Sequence, residues 1–210
     1  AVDKGEIAVI VGPNGAGKST AMKAVFGMLD VRSGAVRLDG REITALSPQD
    51  RVARGMGFVP QTSNIFGAMS VEENLEMGAY IRKDDFRPRL QEIYEMFPPL
   101  AEKKKQVAGE LSGGQRQMVA IGKALMLEPT ILMLDEPTAG LSPIYRNEIF
   151  QIIRQINASG VPILMVEQNA KQSLAVANRA YVLVDGQNRT SGKGIDLLND
   201  PEIAKMFLGG

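Results

Sequence analysis

The segment Gly12-Pro13-Asn14-Gly15-Ala16-Gly17-Lys18-Ser19-Thr20 lies between a predicted strand and a predicted helix. The strand is the apolar run Ile7–Val11, and a helical pattern covers Ala21–Phe26. This order of strand, Gly-rich turn and helix is the context that a phosphate-binding loop requires. Glycines let successive backbone N–H groups converge on phosphate oxygens, and the positive end of the helix adds to that field. The segment therefore predicts a binding site for a nucleoside triphosphate.

Two side chains of this loop carry charge or metal-binding chemistry. The Lys18 ammonium can reach the β- and γ-phosphates, and the Ser19 hydroxyl can bind Mg²⁺. The alternative is a Gly-rich turn that only connects a strand to a helix. We expect ATP and Mg²⁺ as ligands, with every residue from Gly12 to Thr20 in the binding loop.

The composition is typical of a globular protein and does not point to nucleic acid as a partner. The 210 residues are 44% hydrophobic and 23% charged, with 24 Lys and Arg against 24 Asp and Glu. This balance offers no electrostatic case for binding nucleic acid. Cysteine and histidine are absent, no signal peptide opens the chain, and no apolar run approaches the ~20 residues that cross a bilayer. These features predict an intracellular protein.

The chain divides into an α/β fold and a helical insertion. No strand pattern appears between Gln61 and Glu128, whereas apolar strand patterns precede and follow this region. We therefore predict a core over 1–61 and 129–210 and a helical subdomain over 62–128. The chain also starts almost directly at the first predicted strand, so we expect that strands contacting the adenine are missing from its N-terminus.

The helical insertion ends in Leu111-Ser112-Gly113-Gly114-Gln115. Ser112 and Gln115 have the spacing of a capping box, which alone explains a helix start. Two glycines in a first turn weaken a helix by about 1 kcal/mol each relative to Ala. They make sense if the exposed N–H groups must approach a phosphate closely. Both interpretations stay open on this segment alone.

Two carboxylates follow the apolar run Ile131–Leu134. Such a run predicts a central parallel strand, and ligands of open α/β sheets bind at the carboxyl edge of the strands. Asp135 lies where a carboxylate would hold Mg²⁺, mostly through water. Glu136 points differently and could polarise an attacking water. The alternative is that these acids merely end a strand.

Four features of the sequence together resemble the ATPase subunits of ABC transporters. They are the loop at Gly12–Thr20, Gln61, the LSGGQ at Leu111–Gln115 and the LDEPTAGLSP at Leu134–Pro143. The resemblance covers essentially the whole chain. It implies a RecA-like P-loop NTPase core, mainly a parallel sheet, with an inserted helical subdomain.

The same resemblance implies function and partners. Two ATPase subunits, identical or homologous, would sandwich two ATP molecules head to tail, so that Ser112, Gly113, Gly114 and Gln115 would meet the nucleotide of the partner. Gln61 would reach Mg²⁺ and the attacking water. Transmembrane permease subunits would bind the segment after Gln61, a substrate-binding protein would act indirectly, and the chain would lie on the inner face of the plasma membrane.

Two positions depart from the common pattern of that family. Gln168 stands where a histidine usually contacts the γ-phosphate, and Ser142 stands where the loop after the carboxylates usually has an aspartate. An amide can donate a hydrogen bond but cannot shuttle a proton near pH 7. At both of these positions the sequence resembles the ATPases of branched-chain amino-acid importers. The segment Ser70–Leu75 and the ending Met206-Phe207-Leu208-Gly209 share this resemblance. Glu136, Gln168 and Lys18 are then the predicted catalytic residues.

Three other classes of protein share part of this pattern. A chromosome-maintenance or DNA-repair ATPase would carry long heptad runs and a basic surface, and the segment between Gln61 and Leu111 is too short for them. A small-molecule kinase shares the phosphate loop but explains neither LSGGQ nor the Asp135-Glu136 pair. A nucleotide-gated module with little turnover is the third class, and Gln168 and Ser142 favour it.

Overall fold

A 6-stranded sheet forms the centre of the computed structural model, which describes residues 1–62 and 64–207 apart from the side chains of residues 204, 206 and 207. A separate two-stranded hairpin lies outside this sheet. The strands are β1 (Ile7–Val11), β2 (Arg37–Leu38), β3 (Arg41–Glu42), β4 (Met56–Val59), β5 (Ile131–Asp135), β6 (Ile163–Glu167), β7 (Arg179–Val184) and β8 (Gln187–Gly192).

The order of the strands in the sheet is β4-β5-β6-β1-β7-β8. All neighbours pair in parallel except β7 and β8, which form an antiparallel edge pair. The central strands are buried on both faces, as their nearly continuous apolar sequences predict. The predicted α/β class with a mainly parallel sheet is therefore confirmed.

Helices cover both faces of the sheet. Four helices begin after a serine whose side chain accepts a hydrogen bond from the backbone N–H three residues later, namely Ser47, Ser70, Ser112 and Ser142. The helices are α1 (Lys18–Phe26), α2 (Pro48–Ala53), α3 (Val71–Gly78), α4 (Arg87–Met96), α5 (Pro98–Glu102), α6 (Gly113–Leu125), α7 (Pro143–Ala158), α8 (Ala170–Val176), α9 (Gly194–Leu198) and α10 (Pro201–Phe207).

The sequence pattern predicts a helix from Pro88 to Met96 that stops at Phe97-Pro98-Pro99, and α4 does end at Met96. The pattern misses the short helix α5, which begins at Pro98 because proline suits the first position of a helix. It also misses α8, α9 and the edge strand β8. The predicted end of the last helix at Gly209-Gly210 lies outside the described residues.

Helices α3 to α6 fill the region between β4 and β5. Within the described part of this region, the only strand-like pairing is an isolated bridge between Ser70 and Val107. Gly122 lets Leu75 and Ile93 approach α6, because a Cβ there would lie 2.9 Å from Leu75 Cδ2. These helices share one buried cluster with a face of the sheet. The division at residues 61 and 128 stays a prediction.

The opposite face of the sheet packs on α1. Met22 and Phe26 from this helix join a second buried cluster with Met133 and Val166 from the sheet. The Phe26 ring stacks on Phe58 with the centroids 4.7 Å apart. No helix among the described residues combines the length and apolar character needed to span a membrane.

Arg51 is the largest polar side chain in this part of the interior, with 1% of its surface exposed. Its guanidinium donates to the backbone carbonyls of Ala24 and Val25 at the end of α1. It also donates to Leu46 O at 3.1 Å and Thr44 O at 2.7 Å. Arg51 thus adds charged donors to the last carbonyls of α1, and it anchors α2 to the helix that carries the phosphate loop.

We expect Arg51→Met to lower the free energy of unfolding by about 2–4 kcal/mol, because several buried carbonyls lose charged donors. Chemical denaturation monitored by circular dichroism measures this change. The matched control is Arg54→Met, since Arg54 is exposed at the end of the same helix and its loss should cost at most about 0.5 kcal/mol. Equal stability of the two variants would contradict this role for Arg51.

Candidate active site

The phosphate loop connects β1 to α1 through glycines that no other residue could replace without strain. Gly15 and Gly17 have left-handed backbones with φ of 82° and 91°. At Gly12 a Cβ would lie 2.3 Å from the carbonyl oxygen of Leu183 on β7. The loop therefore packs closely against β7. Its backbone amides lie just before the positive end of α1.

Lys18 and Ser19 begin α1 and turn toward the end of the sheet. Lys18 is 5% exposed, and its Nζ donates to Gly12 O at 2.8 Å and Pro13 O at 3.0 Å. The Ser19 hydroxyl donates to Asp135 Oδ1 at 3.0 Å. The loop lysine and the predicted metal-binding pair thus lie together at the carboxyl edge.

Glu136 follows Asp135 with a left-handed backbone, φ 48°, which is uncommon for any residue except glycine. Its N–H donates to Val166 O on the neighbouring strand, so the backbone is fixed by the sheet. The Gln61 amide donates to Glu136 Oε2 at 2.9 Å. The two residues that the sequence assigns to the attacking water are therefore in direct contact.

Gln168 follows β6 and contacts the phosphate loop from the other side. Its side-chain amide donates to Asn14 Oδ1. The residue before it, Glu167, is buried, and its carboxylate accepts hydrogen bonds from Thr138 and Gln168. Burial raises the pKa of the Glu167 carboxyl above its ordinary value, while its hydrogen bonds with Thr138, Asn169 and Gln168 oppose the shift.

The LSGGQ segment lies at the start of α6. Ser112 Oγ accepts from Gln115 N, and Gln115 Oε1 accepts from Ser112 N, each at 3.3 Å, so the predicted capping box is formed. Lys103 Nζ also donates to Gln115 Oε1 at 3.3 Å. Among the described residues, no hydrogen bond joins this segment to the phosphate loop of the same chain.

The two glycines of this segment have different surroundings. A Cβ on Gly114 would lie 2.2 Å from Tyr145 Cδ1 and 2.9 Å from Tyr145 Cβ on α7. A Cβ on Gly113 would make only an ordinary contact, 3.4 Å from Leu141 Cδ2. Packing against Tyr145 therefore explains Gly114 within this chain, and it leaves Gly113 unexplained by packing.

Comparison with known protein families agrees with this arrangement. The family model described as "ABC transporter" matches residues 1–139, which include the phosphate loop, Gln61, the LSGGQ segment and the Asp135-Glu136 pair. The chain belongs to the ABC transporter ATPase family. It is thus an ATP-binding and ATP-hydrolysing domain, and the kinase alternative is excluded.

Two relatives are similar over nearly the whole ABC ATPase chain. The high-affinity branched-chain amino acid transport ATP-binding protein BraG of Pseudomonas aeruginosa is 43% identical, covering 100% of this chain and 90% of BraG. The probable branched-chain amino acid transport ATP-binding protein LivF of Archaeoglobus fulgidus is 42% identical, covering 99% of this chain and 89% of LivF.

Solved structures of ATP-binding cassettes have the same fold. One cassette of an ABC transporter in its ADP conformation superimposes with a TM-score of 0.87 at 29% identity, covering 100% of this chain and 90% of that one. A dimeric cassette in a post-hydrolysis state with ADP and Pi gives 0.81 at 26% identity, covering 95% and 88%.

The donor atoms at the carboxyl edge fit Mg²⁺. Ser19 Oγ and Asp135 Oδ1 are oxygen atoms 3.0 Å apart, and the Gln61 side chain, whose Nε2 donates to Glu136, also carries an amide oxygen. The described residues contain no cluster of three or more His, Cys, Asp or Glu side chains. Few protein carboxylates are needed, because Mg²⁺ in nucleotide sites is bound by one or two of them with substrate phosphates and water.

Sequence reasoning misses two contributors to this site. Glu167 ends an apolar strand, as Asp135 does, and that shared pattern was the available signal. Thr138 lies in the loop after Glu136 and has no distinctive pattern of its own. The predicted roles of the individual site residues stay predictions, although the structure brings Asn14, Lys18, Ser19, Gln61, Asp135, Glu136 and Gln168 to one edge of the sheet.

We expect Gly114→Ala to destabilise the chain by about 1–3 kcal/mol, because the new methyl group overlaps the Tyr145 ring. Gly113→Ala is the matched control, with a change of at most about 1 kcal/mol in the same first turn. Denaturant titration measures both. Tyr145→Ala should restore part of the stability of Gly114→Ala, and an absence of any rescue would show that the Tyr145 contact is not the cause.

Proposed function

We propose that this chain hydrolyses ATP at the edge formed by Lys18, Asp135, Glu136 and Gln168, and that it powers an importer of branched-chain or other hydrophobic amino acids. The observation that carries the site is the pair of contacts Ser19–Asp135 and Gln61–Glu136. Because Asp135 and Glu136 are adjacent in the sequence, these contacts support a metal-binding pair close to a carboxylate and an amide that could orient water. Such an arrangement supports phosphoryl transfer to water.

The phosphate loop and Lys18 would bind the β- and γ-phosphates. Backbone N–H groups of the loop and the Lys18 ammonium stabilise the charge that spreads over the γ-phosphoryl oxygens. Mg²⁺, held by Ser19, Asp135 and Gln61, would supply further neutralisation of that charge. Lys18 and Asp135 begin from fixed positions, because both side chains are almost fully buried.

Glu136 is the proposed general base. It would accept a proton from the attacking water as the water oxygen bonds to the γ-phosphorus and the bond to the ADP oxygen breaks. Gln61 would orient that water through its contact with Glu136. Gln168 can only position the phosphate or the water, because an amide does not titrate. The chain has no histidine that could take over proton transfer.

A second ATPase subunit would complete the site. In the part of the chain that the structure describes, the LSGGQ segment makes no hydrogen bond to its own phosphate loop, and packing does not explain Gly113. Both observations support a head-to-tail pair in which Ser112, Gly113 and Gly114 meet the nucleotide of the partner. The dimeric structure of a similar cassette with ADP and Pi supports this arrangement.

We expect Glu136→Gln to slow the chemical step by about 10²–10⁴-fold and to preserve ATP affinity, because only the base is lost. Single-turnover hydrolysis and equilibrium ATP binding measure the two quantities. The variant should also accumulate as a dimer with ATP but not with ADP, as light scattering can show. Gln168→Ala should cost less, since it removes a hydrogen bond and no base.

Glu128→Gln is the matched control for this variant. Glu128 has a similar left-handed backbone, φ 50°, but precedes β5 at the opposite end of the strand. Its substitution should leave hydrolysis at the parental rate. If Glu136→Gln also hydrolyses at that rate while Gln168→Ala is inactive, the proposed catalytic roles are wrong.

The permease contact is proposed on the helical segment. Exposed apolar side chains lie at the end of α3 and in the segment after Gln61. Lys123 on α6 lies next to both: its ammonium is 4.7 Å from the Phe66 ring centroid, and a Cβ on Gly78 would lie 2.1 Å from its carbonyl oxygen. This surface consists of Phe66, Met77, Tyr80 and Ile81. A membrane location for the chain, on the inner face of the plasma membrane, would follow from its binding to permease subunits.

We expect Ile81→Glu to abolish co-purification with the permease subunits and to preserve ATP binding. The matched control is Ile195→Glu, because Ile195 is 54% exposed on α9 and Ile81 is 50% exposed. In the assembled transporter, hydrolysis should rise with a binding protein loaded with leucine or valine. Unchanged assembly of Ile81→Glu would reject this surface, and stimulation by another substrate class alone would reject branched-chain amino acids.

A further inference from the structure

The side chain of Glu167 is a buried carboxylate outside the set of proposed catalytic residues. It ends β6, it is 2% exposed, and it takes part in none of the ion pairs found among the described residues. A charged group in such a place is costly unless hydrogen bonds satisfy it. The hydrogen-bond partners of the Glu167 carboxylate therefore indicate its role.

The donors to this carboxylate come from two loops. Oε1 accepts from Thr138 N at 3.0 Å and from Thr138 Oγ1 at 2.8 Å. Oε2 accepts from Gln168 N at 3.2 Å, with Asn169 N at 3.5 Å. One oxygen thus binds the loop after β5, and the other binds the loop after β6.

Each of these loops carries a proposed catalytic side chain. Thr138 lies two positions after Glu136. Gln168 itself donates to Oε2 through its backbone, while its side chain contacts Asn14 in the phosphate loop. The Glu167 carboxylate is therefore a bridge between the segment of the general base and the residue that faces the γ-phosphate position.

Only a carboxylate can form this bridge with both oxygens. Backbone N–H groups face each oxygen, and an N–H can only donate. A glutamine of the same shape would turn its NH₂ toward one of the two loops and lose that contact. Glu167→Gln therefore removes half of the bridge without removing its volume.

We infer that Glu167 is a positioning residue for ATP hydrolysis, which fixes Glu136 and Gln168 relative to each other through Thr138 N–H and Gln168 N–H. The inference rests on the proposed roles of Glu136 and Gln168. Loss of the bridge displaces the base and the phosphate contact from their common geometry, and it leaves the phosphate loop and Lys18 in place. The chemical step slows, and ATP affinity stays.

The test uses Glu167→Gln in the full chain, with single-turnover hydrolysis measured per bound ATP well below the thermal midpoint of the variant. We expect a fall of about 10–100-fold, as for other small misplacements of catalytic groups, with ATP affinity within about twofold of the parent. In the double variant Glu167→Gln/Gln168→Ala, the rate should fall by less than the product of the two single-variant factors, because Glu167 acts in part through Gln168. A parental rate per bound ATP for Glu167→Gln overturns the inference. A double variant whose rate falls by the full product of the two single-variant factors overturns it as well.

Thr138 provides a second pair of variants that does not alter the buried charge. Thr138→Ser keeps the hydroxyl that binds Oε1, and Thr138→Val replaces it with a methyl group of similar shape. We expect parental hydrolysis for Thr138→Ser and a fall of about 3–10-fold for Thr138→Val, in line with one lost hydrogen bond. Equal rates of the two variants overturn the inference even if Glu167→Gln does not fold.

The variant Glu136→Gln in the same assay separates this inference from the proposed function. A slow Glu136→Gln together with unaffected Glu167 and Thr138 variants rejects only the positioning role. A parental rate for Glu136→Gln rejects the proposed catalytic roles, and the inference falls with them.

Discussion

Parallel pairing brings the ends of β1, β5 and β6 to one edge of the sheet. Val11 lies beside Glu167, and Asp135 lies beside Val166, so the three strands stop within one residue of each other. The phosphate loop, the carboxylate pair and Gln168 each follow one of these ends. Because side chains alternate between the faces of a strand, a shift of one residue in this register would turn the Asp135 carboxylate to the opposite face of the sheet. The chemistry of the site therefore depends on strand register first, and on loop conformation second.

Most of the fold follows from patterns that act over a few residues. Strands buried on both faces must be apolar throughout, and serine caps satisfy the first N–H groups of a helix, so both are visible in the sequence. The edge strand β8 is not visible, because Gln187–Gly192 is polar and mostly exposed. Its extended form depends on pairing with β7, which is a tertiary contact. The short helices α8 and α9 pack mainly on each other, with α8 also against α7 and β1 and α9 against β7 and β8, and local propensity says little about such short helices.

The sequence predicts the members of the site better than their partners. Gln61 and Glu136 are recognisable separately, but they are 75 positions apart and only the folded sheet shows their contact. Gly114 suggests a close approach of phosphate, whereas the structure shows the Tyr145 ring against it. Ser142, which departs from the family pattern, caps α7, so the substitution keeps the start of that helix. The phosphate loop is the opposite case, because the roles of its glycines, lysine and serine can be predicted from the local sequence without any knowledge of distant contacts.

The backbone of Glu136 has a consequence for how this protein can change. A left-handed conformation costs a residue with a side chain about 1–3 kcal/mol, and glycine adopts it freely. Selection for a more stable fold alone would favour glycine at this position and would remove the carboxylate. Glu128 has the same conformation, φ 50°, at the other end of β5, so the backbone alone does not mark a catalytic residue; at position 136 it coincides with the carboxylate that we propose as general base. If Glu136 is the general base, glycine at position 136 would raise the free energy of unfolding and abolish the chemical step, so that stability and activity oppose each other at this position.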